Sequence, residues 1–150
     1  MDSAPAGRLR SPCLAPRPPF LMIDRIGHVD RKARSLVALR DLTFDDPFLT
    51  RQRRGPPLYP AVLLVEMIGQ AILSLLNVFP QPRWRTAPPA GLLTRIGRAE
   101  FLAAAAPRAE LVAEARLIDV DEFHLRGAGR VHIGSTLLAL ASLEIVNAAA

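Results

Sequence analysis

Few side chains in this sequence can do chemistry, and one of them sits in an unusual place. Glu66 interrupts residues 60–79, a run that is otherwise almost wholly apolar. A lone carboxylate in such a setting is either a general acid, a base or a nucleophile, or a structural group satisfied by a buried partner. The remaining candidates are three histidines, His28, His124 and His132, a loop reading Arg51-Gln52-Arg53-Arg54-Gly55, and one cysteine, Cys13. Each histidine falls in a stretch patterned as a strand, and no metal-ligand spacing is recognisable. The loop arginines suit an anion such as phosphate, because guanidinium pairs with it in a fork, or they form a solvated turn. A single cysteine excludes an internal disulfide and fits a reducing compartment.

The element that positions Glu66 is a helix over residues 60–79. Pro60 suits its first turn, where a missing N–H costs nothing, and Pro80 and Pro82 end it. Four residues break its apolar surface: Glu66, Gln70, Ser74 and Asn77. At about 100° per residue they fall in a sector roughly 80° wide, so one narrow polar seam runs down an apolar rod. The apolar run, about 17–18 residues, is at the short limit for a bilayer, and a carboxylate one turn in would be costly there. A protein core is the better home.

The rest of the chain supplies strands to cover that rod. Alternation and turn signals place them over 21–29, 35–44, 91–99, 109–118, 123–133 and 136–146. The last is apolar on both faces and reads as central and covered. Residues 1–13 read as a flexible tail without a signal peptide, which suits a cytoplasmic protein, and 14–150 as a single domain. Half of the 150 residues are apolar but only 5% are aromatic, so the core must be aliphatic. The net charge of +5 favours acidic partners. Scattered arginines and few stacking rings argue against nucleic acid. One long helix and five or six strands, mostly antiparallel, predict an α+β domain in which a curved sheet wraps the helix. Such a sheet leaves an edge strand, and pairing of two copies at that edge predicts a dimer.

Several strings carry a resemblance. Residues 17–26, Arg-Pro-Pro-Phe-Leu-Met-Ile-Asp-Arg-Ile, look like an entry motif of arginine, proline, phenylalanine, a short apolar run and Asp-Arg. Asp45-Asp46-Pro47-Phe48-Leu49 looks like an Asn-Glu-Pro-Phe-Phe turn. Residues 57–70 are similar to a Pro-x-x-Pro-Gly-Val-Leu-x-x-Glu-Ala-x-Ala-Gln helix start. Together these resemble the hotdog fold of the FabA/FabZ-type 3-hydroxyacyl-[acyl carrier protein] dehydratases, over roughly residues 14–146, with weaker similarity at Gly91-Leu92-Leu93, Phe101 and residues 123–127.

The resemblance implies a dehydratase of fatty-acid or polyketide-type acyl chains. No cofactor is implied. The substrate is carried on the phosphopantetheine of an acyl carrier protein or coenzyme A. In the family a histidine in a Gly-His-Phe-Pro-Gly loop takes the C2 proton, and the helix carboxylate of the other subunit protonates the leaving hydroxyl. A backbone N–H at the helix start polarises the thioester carbonyl. Carried onto this chain, the catalytic positions are Gln52, Glu66 and Ala61. Arg53, Arg54, Tyr59, Phe48 and Gln70 are placed beside the substrate. Gln52 stands where the histidine belongs, and an amide has no useful basicity. Three functions follow. The chain is a dehydratase, as a homodimer, as an oligomer of dimers, or in a heterodimer with a relative supplying the histidine. Alternatively it is a thioesterase using Glu66, or a non-catalytic acyl-binding subunit.

Overall fold

The computed structural model describes residues 16–49, 54–81, 84 and 91–148. They form β1 (Arg25–Asp30), β2 (Ser35–Leu42), α1 (Val62–Val78), β3 (Gly91–Phe101), β4 (Ala109–Val120), β5 (His124–Ile133) and β6 (Thr136–Asn147). The six strands make one sheet in the order β1-β2-β4-β5-β6-β3, every neighbouring pair antiparallel. The helix packs on one face of that sheet, as the hotdog resemblance implied. The entry strand is shorter than its pattern suggested. Regular pairing begins at Arg25, and the preceding residues are held by other means.

The helix begins where proline allows. Leu63 donates its N–H to the Pro60 carbonyl and Leu64 to that of Ala61, both at 3.0 Å. It ends as Phe79 donates to Leu75 at 2.8 Å, after which Pro80 has no N–H to continue. Leu64, Met67, Ile68, Ala71, Ile72 and Leu75 are at most 1% exposed. Their alternating spacing of three and one is that of one helix face. Each of the larger ones contributes about 1.5–3 kcal/mol by leaving water. The helix lies unusually close to β5, because that strand presents glycines to it. A β-carbon at Gly127 would stand 2.7 Å from Ile72 Cγ2, and one at Gly129 2.8 Å from Ile68 Cγ2.

Two features differ from the alternation pattern. The inner face of β6 is buried, but Leu140, Ser142, Glu144 and Val146 on its other face are only half-buried, since no second layer of the described chain lies there. Ser142 and Glu144 suit such an open face, and Leu140 and Val146 are the only apolar residues among these four. The second feature is the edge. α1 packs chiefly over β4, β5 and β6 and barely reaches β3. In consequence Leu93, Ile96 and Phe101 of β3 remain about half exposed. Their cross-strand partners Ile145, Leu143 and Ala139 are buried on the helix side, so the three face inward too. The β3–β6 register slips twice, past Thr94 and past Gly97. Beyond the helix, Trp84 is buried and its indole N–H donates to the Asp121 carbonyl at 2.8 Å, fastening that segment to the β4–β5 turn.

Candidate active site at the helix start

Glu66 lies one turn into α1 and is half-buried. Its partner is Gln70, one turn further, which donates from Nε2 to Glu66 Oε1 at 2.7 Å. The same nitrogen donates to the Phe20 carbonyl at 2.7 Å, while Gln70 Oε1 accepts the Met22 N–H at 2.8 Å. Since Oε1 must face the Met22 N–H, the amide has only one workable orientation, and Glu66 Oε1 is the oxygen that receives a donor. Glu66 Oε2 has no hydrogen-bond partner among the described residues. Gln70 is 1% exposed and spends its amide on Met22, Phe20 and Glu66. Ser74, next on the polar seam, is buried and donates to the Gln70 carbonyl at 2.8 Å. Only Asn77 of the seam is exposed. The seam therefore docks the entry segment onto the helix and leaves its first member, Glu66, half-buried.

A buried ion pair holds the same segment from the other side. Arg40 donates to the Leu21 carbonyl at 2.7 Å and to Asp46 Oδ2 at 2.5 Å. Asp46 Oδ1 accepts the Phe48 N–H at 2.9 Å, which fixes the Asp-Pro-Phe turn. Phe48 then meets Phe20, ring centroids 5.4 Å apart. Tyr59 lies under the Arg40 guanidinium, 5.8 Å from it, and donates its hydroxyl to Met22 Sδ at 3.1 Å. Burial pushes the Tyr59 phenol up to about 12, with Arg40 opposing and Asp46 and Asp24 adding to the shift. Tyr59 thus enters the site as a wall and a prop, with its hydroxyl already engaged. Arg40 gave no sequence signal, because an arginine on a strand reads as a solvated one.

A groove of about 490 Å³ opens at the helix start, lined by Leu58, Tyr59, Pro60, Ala61, Phe101 and Leu102 among others. The N–H groups of Ala61 and Val62 have no partner among the described residues, as expected for the first positions of a helix. They form the positive end of the helix dipole and suit an oxygen that gains negative charge. Beyond the groove, β3 turns Leu93, Ile96 and Phe101 toward the helix side of the sheet. Glu66 thus stands one turn along α1 from two backbone N–H groups that have no partner among the described residues.

Arg54 is exposed at the described end of its loop. Gln52, Arg51 and Arg53 lie outside the described residues. The histidines are elsewhere. His28, His124 and His132 all sit on the sheet face turned away from α1, each beside or opposite a residue whose neighbours point inward. His132 is placed between the Gly134 carbonyl at 2.8 Å and Glu114 Oε1 at 3.1 Å. Burial pushes the Glu114 carboxyl up, but hydrogen bonds from Arg130 and His132 outweigh it, and it titrates below the usual range. A trough of about 720 Å³ on that face is walled by Arg98, Arg116 and Arg130. It is separated from Glu66 by the thickness of the sheet.

Comparison with known proteins agrees with this geometry. The chain is 30% identical over 135 residues to the 3-hydroxyacyl-[acyl-carrier-protein] dehydratase FabZ of Symbiobacterium thermophilum, covering 89% of this chain and 92% of that one. It is 30% identical over 147 residues to FabZ of Chlamydia caviae, covering 96% and 94%. Among solved structures, a dehydratase heterocomplex, ApeI:P, from Xenorhabdus doucetiae superposes with a TM-score of 0.76 at 18% identity, over 92% of this chain and 88% of that one. A hypothetical thioesterase protein with coenzyme A from Streptococcus pneumoniae TIGR4 superposes with a TM-score of 0.60 at 9% identity, over 81% and 83%. At those identities the structures speak for the shared fold alone. The sequence profile of the FabA-like domain matches residues 14–133, and the chain belongs to that family.

Proposed function

We propose that this chain is the carboxylate-bearing subunit of a 3-hydroxyacyl-thioester dehydratase, completed by a second subunit that supplies the base. The observation that carries this reading is Glu66. One of its oxygens is held by Gln70, and the other has no partner among the described residues. In the reaction, a base takes the C2 proton while Glu66 hands its proton to the C3 hydroxyl, which departs as water as the C2–C3 double bond forms. The thioester carbonyl gains negative charge on the way, and the N–H groups at Ala61 and Val62 receive it. Gln52 occupies the loop position of the base and has no basicity to offer, so two copies of this chain hold two acids and no loop histidine. Pairing with a histidine-bearing relative across the β3 edge gives one complete site. The acyl group arrives on phosphopantetheine, from an acyl carrier protein or coenzyme A, and Arg54 with Arg53 suits its phosphate.

The test is elimination of water from a 3-hydroxyacyl thioester, with this chain alone and mixed with a FabZ-type partner whose own helix glutamate has been replaced by glutamine, so that the partner offers only its histidine. The mixture should turn over, and Glu66→Gln in this chain should lower that rate by at least about 100-fold. Undiminished turnover in the Glu66→Gln mixture rejects the assignment. A second reading is favoured by the glutamine at position 52: hydrolysis needs no C2 base, and Glu66 would serve as base or nucleophile in a thioesterase. Release of free thiol by the chain alone, lost in Glu66→Gln, would select it. Binding of acyl thioesters with neither reaction would assign a non-catalytic acyl-binding subunit.

A further inference from the structure

The hairpin between β1 and β2 carries three cations, Arg31, Lys32 and Arg34, and none of them meets a carboxylate among the described residues. The acid of that turn, Asp30, is engaged locally: the Ala33 N–H donates to its Oδ1 at 2.9 Å. Arg34 has a φ of 54°, a left-handed conformation in which glycine is at ease and a long side chain is strained. Such strain persists where the side chain serves a purpose. The Arg34 carbonyl accepts the Leu117 N–H at 2.9 Å, which fixes the hairpin beside Arg116. Arg116 is exposed and likewise meets no carboxylate among the described residues. Cations gathered in this way attract an anion. Arg31 donates to the Val78 carbonyl at 3.5 Å, so the hairpin sits at the C-terminal end of α1. That is about 18 Å along the helix from Glu66.

The trough on the outer sheet face starts from these cations. Ser35, Arg116, Ala128, Ser142 and Arg98 stand in one row across β2, β4, β5, β6 and β3, each the cross-strand neighbour of the next. With strands about 4.8 Å apart, Arg116 and Arg98 are about 14 Å apart, and only Ala128 and Ser142 lie between them. These short side chains bring the backbone near the surface and leave the space of about 720 Å³, within the roughly 300–1,000 Å³ of small-molecule sites. The flanking rows pair their charges internally, Asp119 with Arg126 and Glu114 with Arg130 and His132. Unbalanced positive charge is therefore confined to this row and its hairpin. A second copy laid on the row, about a two-fold axis along or across it, would set arginine against arginine. Guanidinium groups grip phosphate in a fork and stack on flat rings. We propose that the trough binds an organic phosphate with a flat body, of the nucleoside-phosphate class. Its phosphates lie between Arg34 and Arg116, and its body lies over Ala128 toward Arg98. The site is independent of the dehydratase reading.

Equilibrium dialysis of the full chain against ADP, at near-physiological ionic strength, tests the proposal. Binding should saturate at one ADP per chain. Arg116→Ala should weaken it about tenfold, the usual effect of losing a charge-assisted hydrogen bond. Ala128→Leu fills the floor of the trough at an outward-facing position and should weaken it at least as much. Arg34→Gly should weaken it severalfold while thermal unfolding stays close to wild type, because relief of the positive φ offsets the added freedom of glycine in the unfolded chain. Arg108→Ala removes a cation that stacks on Phe44 just before β4, at the opposite end of that strand from Arg116, and should change nothing. Pyrophosphate and decyl phosphate share the head but lack the flat body, and each should bind at least about tenfold more weakly than ADP. Absence of saturable ADP binding overturns the inference. So does undiminished binding in Arg116→Ala or Ala128→Leu, or an equal loss in Arg108→Ala. Pyrophosphate or decyl phosphate binding as tightly as ADP also overturns it. Retention on phosphatidylglycerol vesicles without ADP binding overturns it as well, by giving the patch to a membrane surface.

Discussion

Replacing Gln70 with methionine tests the central claim about how Glu66 is positioned. The substitution nearly conserves volume, so little cavity energy is involved. It deletes three hydrogen bonds at once. Their costs are unequal. Met22 is wholly buried, and its N–H would lose its partner, which costs about 1–3 kcal/mol for an unsatisfied donor. Phe20 is 58% exposed, so its carbonyl can turn to water, and Glu66 is also within reach of solvent. The expected total is about 2–3 kcal/mol. At about 2–4 °C per kcal/mol for a domain of this size, Tm should fall by roughly 4–12 °C. Far-UV circular dichroism at fixed protein concentration would measure it, with urea unfolding as a check. A fall below about 2 °C would refute the view that this amide is what docks the entry segment onto the helix.

Two further outcomes concern the prop beneath the site. The Tyr59 phenol, near 10 in the unfolded chain and about 12 when folded, keeps a proton that the unfolded chain sheds. Its contribution is complete below pH 10 and is lost as pH rises toward 12, about 2–3 kcal/mol in all. Tyr59→Phe should flatten that decline in urea midpoints, and an unchanged alkaline profile would count against the assignment. Asp46→Asn leaves the Arg40 guanidinium buried without its charge partner and should cost about 3–5 kcal/mol in equilibrium unfolding. A cost under about 1 kcal/mol would mean that the pair is solvated.

The sequence was most informative where one local rule decides. Prolines at 60 and 80 bracket an apolar run, and the helix falls between them. Alternation in residues 123–133 separates Leu125, Gly127 and Val131 from His124, Arg126 and Arg130, and the sheet keeps that division. Glu66 stood out because it was the lone charge in the run. The polar seam was harder to read. Gln70 looks the same in sequence whether it faces a substrate or caps a backbone turn, and the choice depends on where Phe20 and Met22 arrive from a distant segment. Arg40 is hidden for a related reason. Its burial is set by the Leu21 carbonyl and by Asp46, six residues on, and no periodicity encodes that meeting.

The doubly offset β3 strand has a consequence for how far association can run. A straight, regular border would accept any extended peptide and could be lengthened copy after copy. Here the two slips past Thr94 and Gly97 break the even spacing of free donors and acceptors along the outermost strand. Only a mate whose own border bends to match can zip to it over a useful length. Once that mate is seated this side is sealed, so the contact favours a closed pair over a growing fibre.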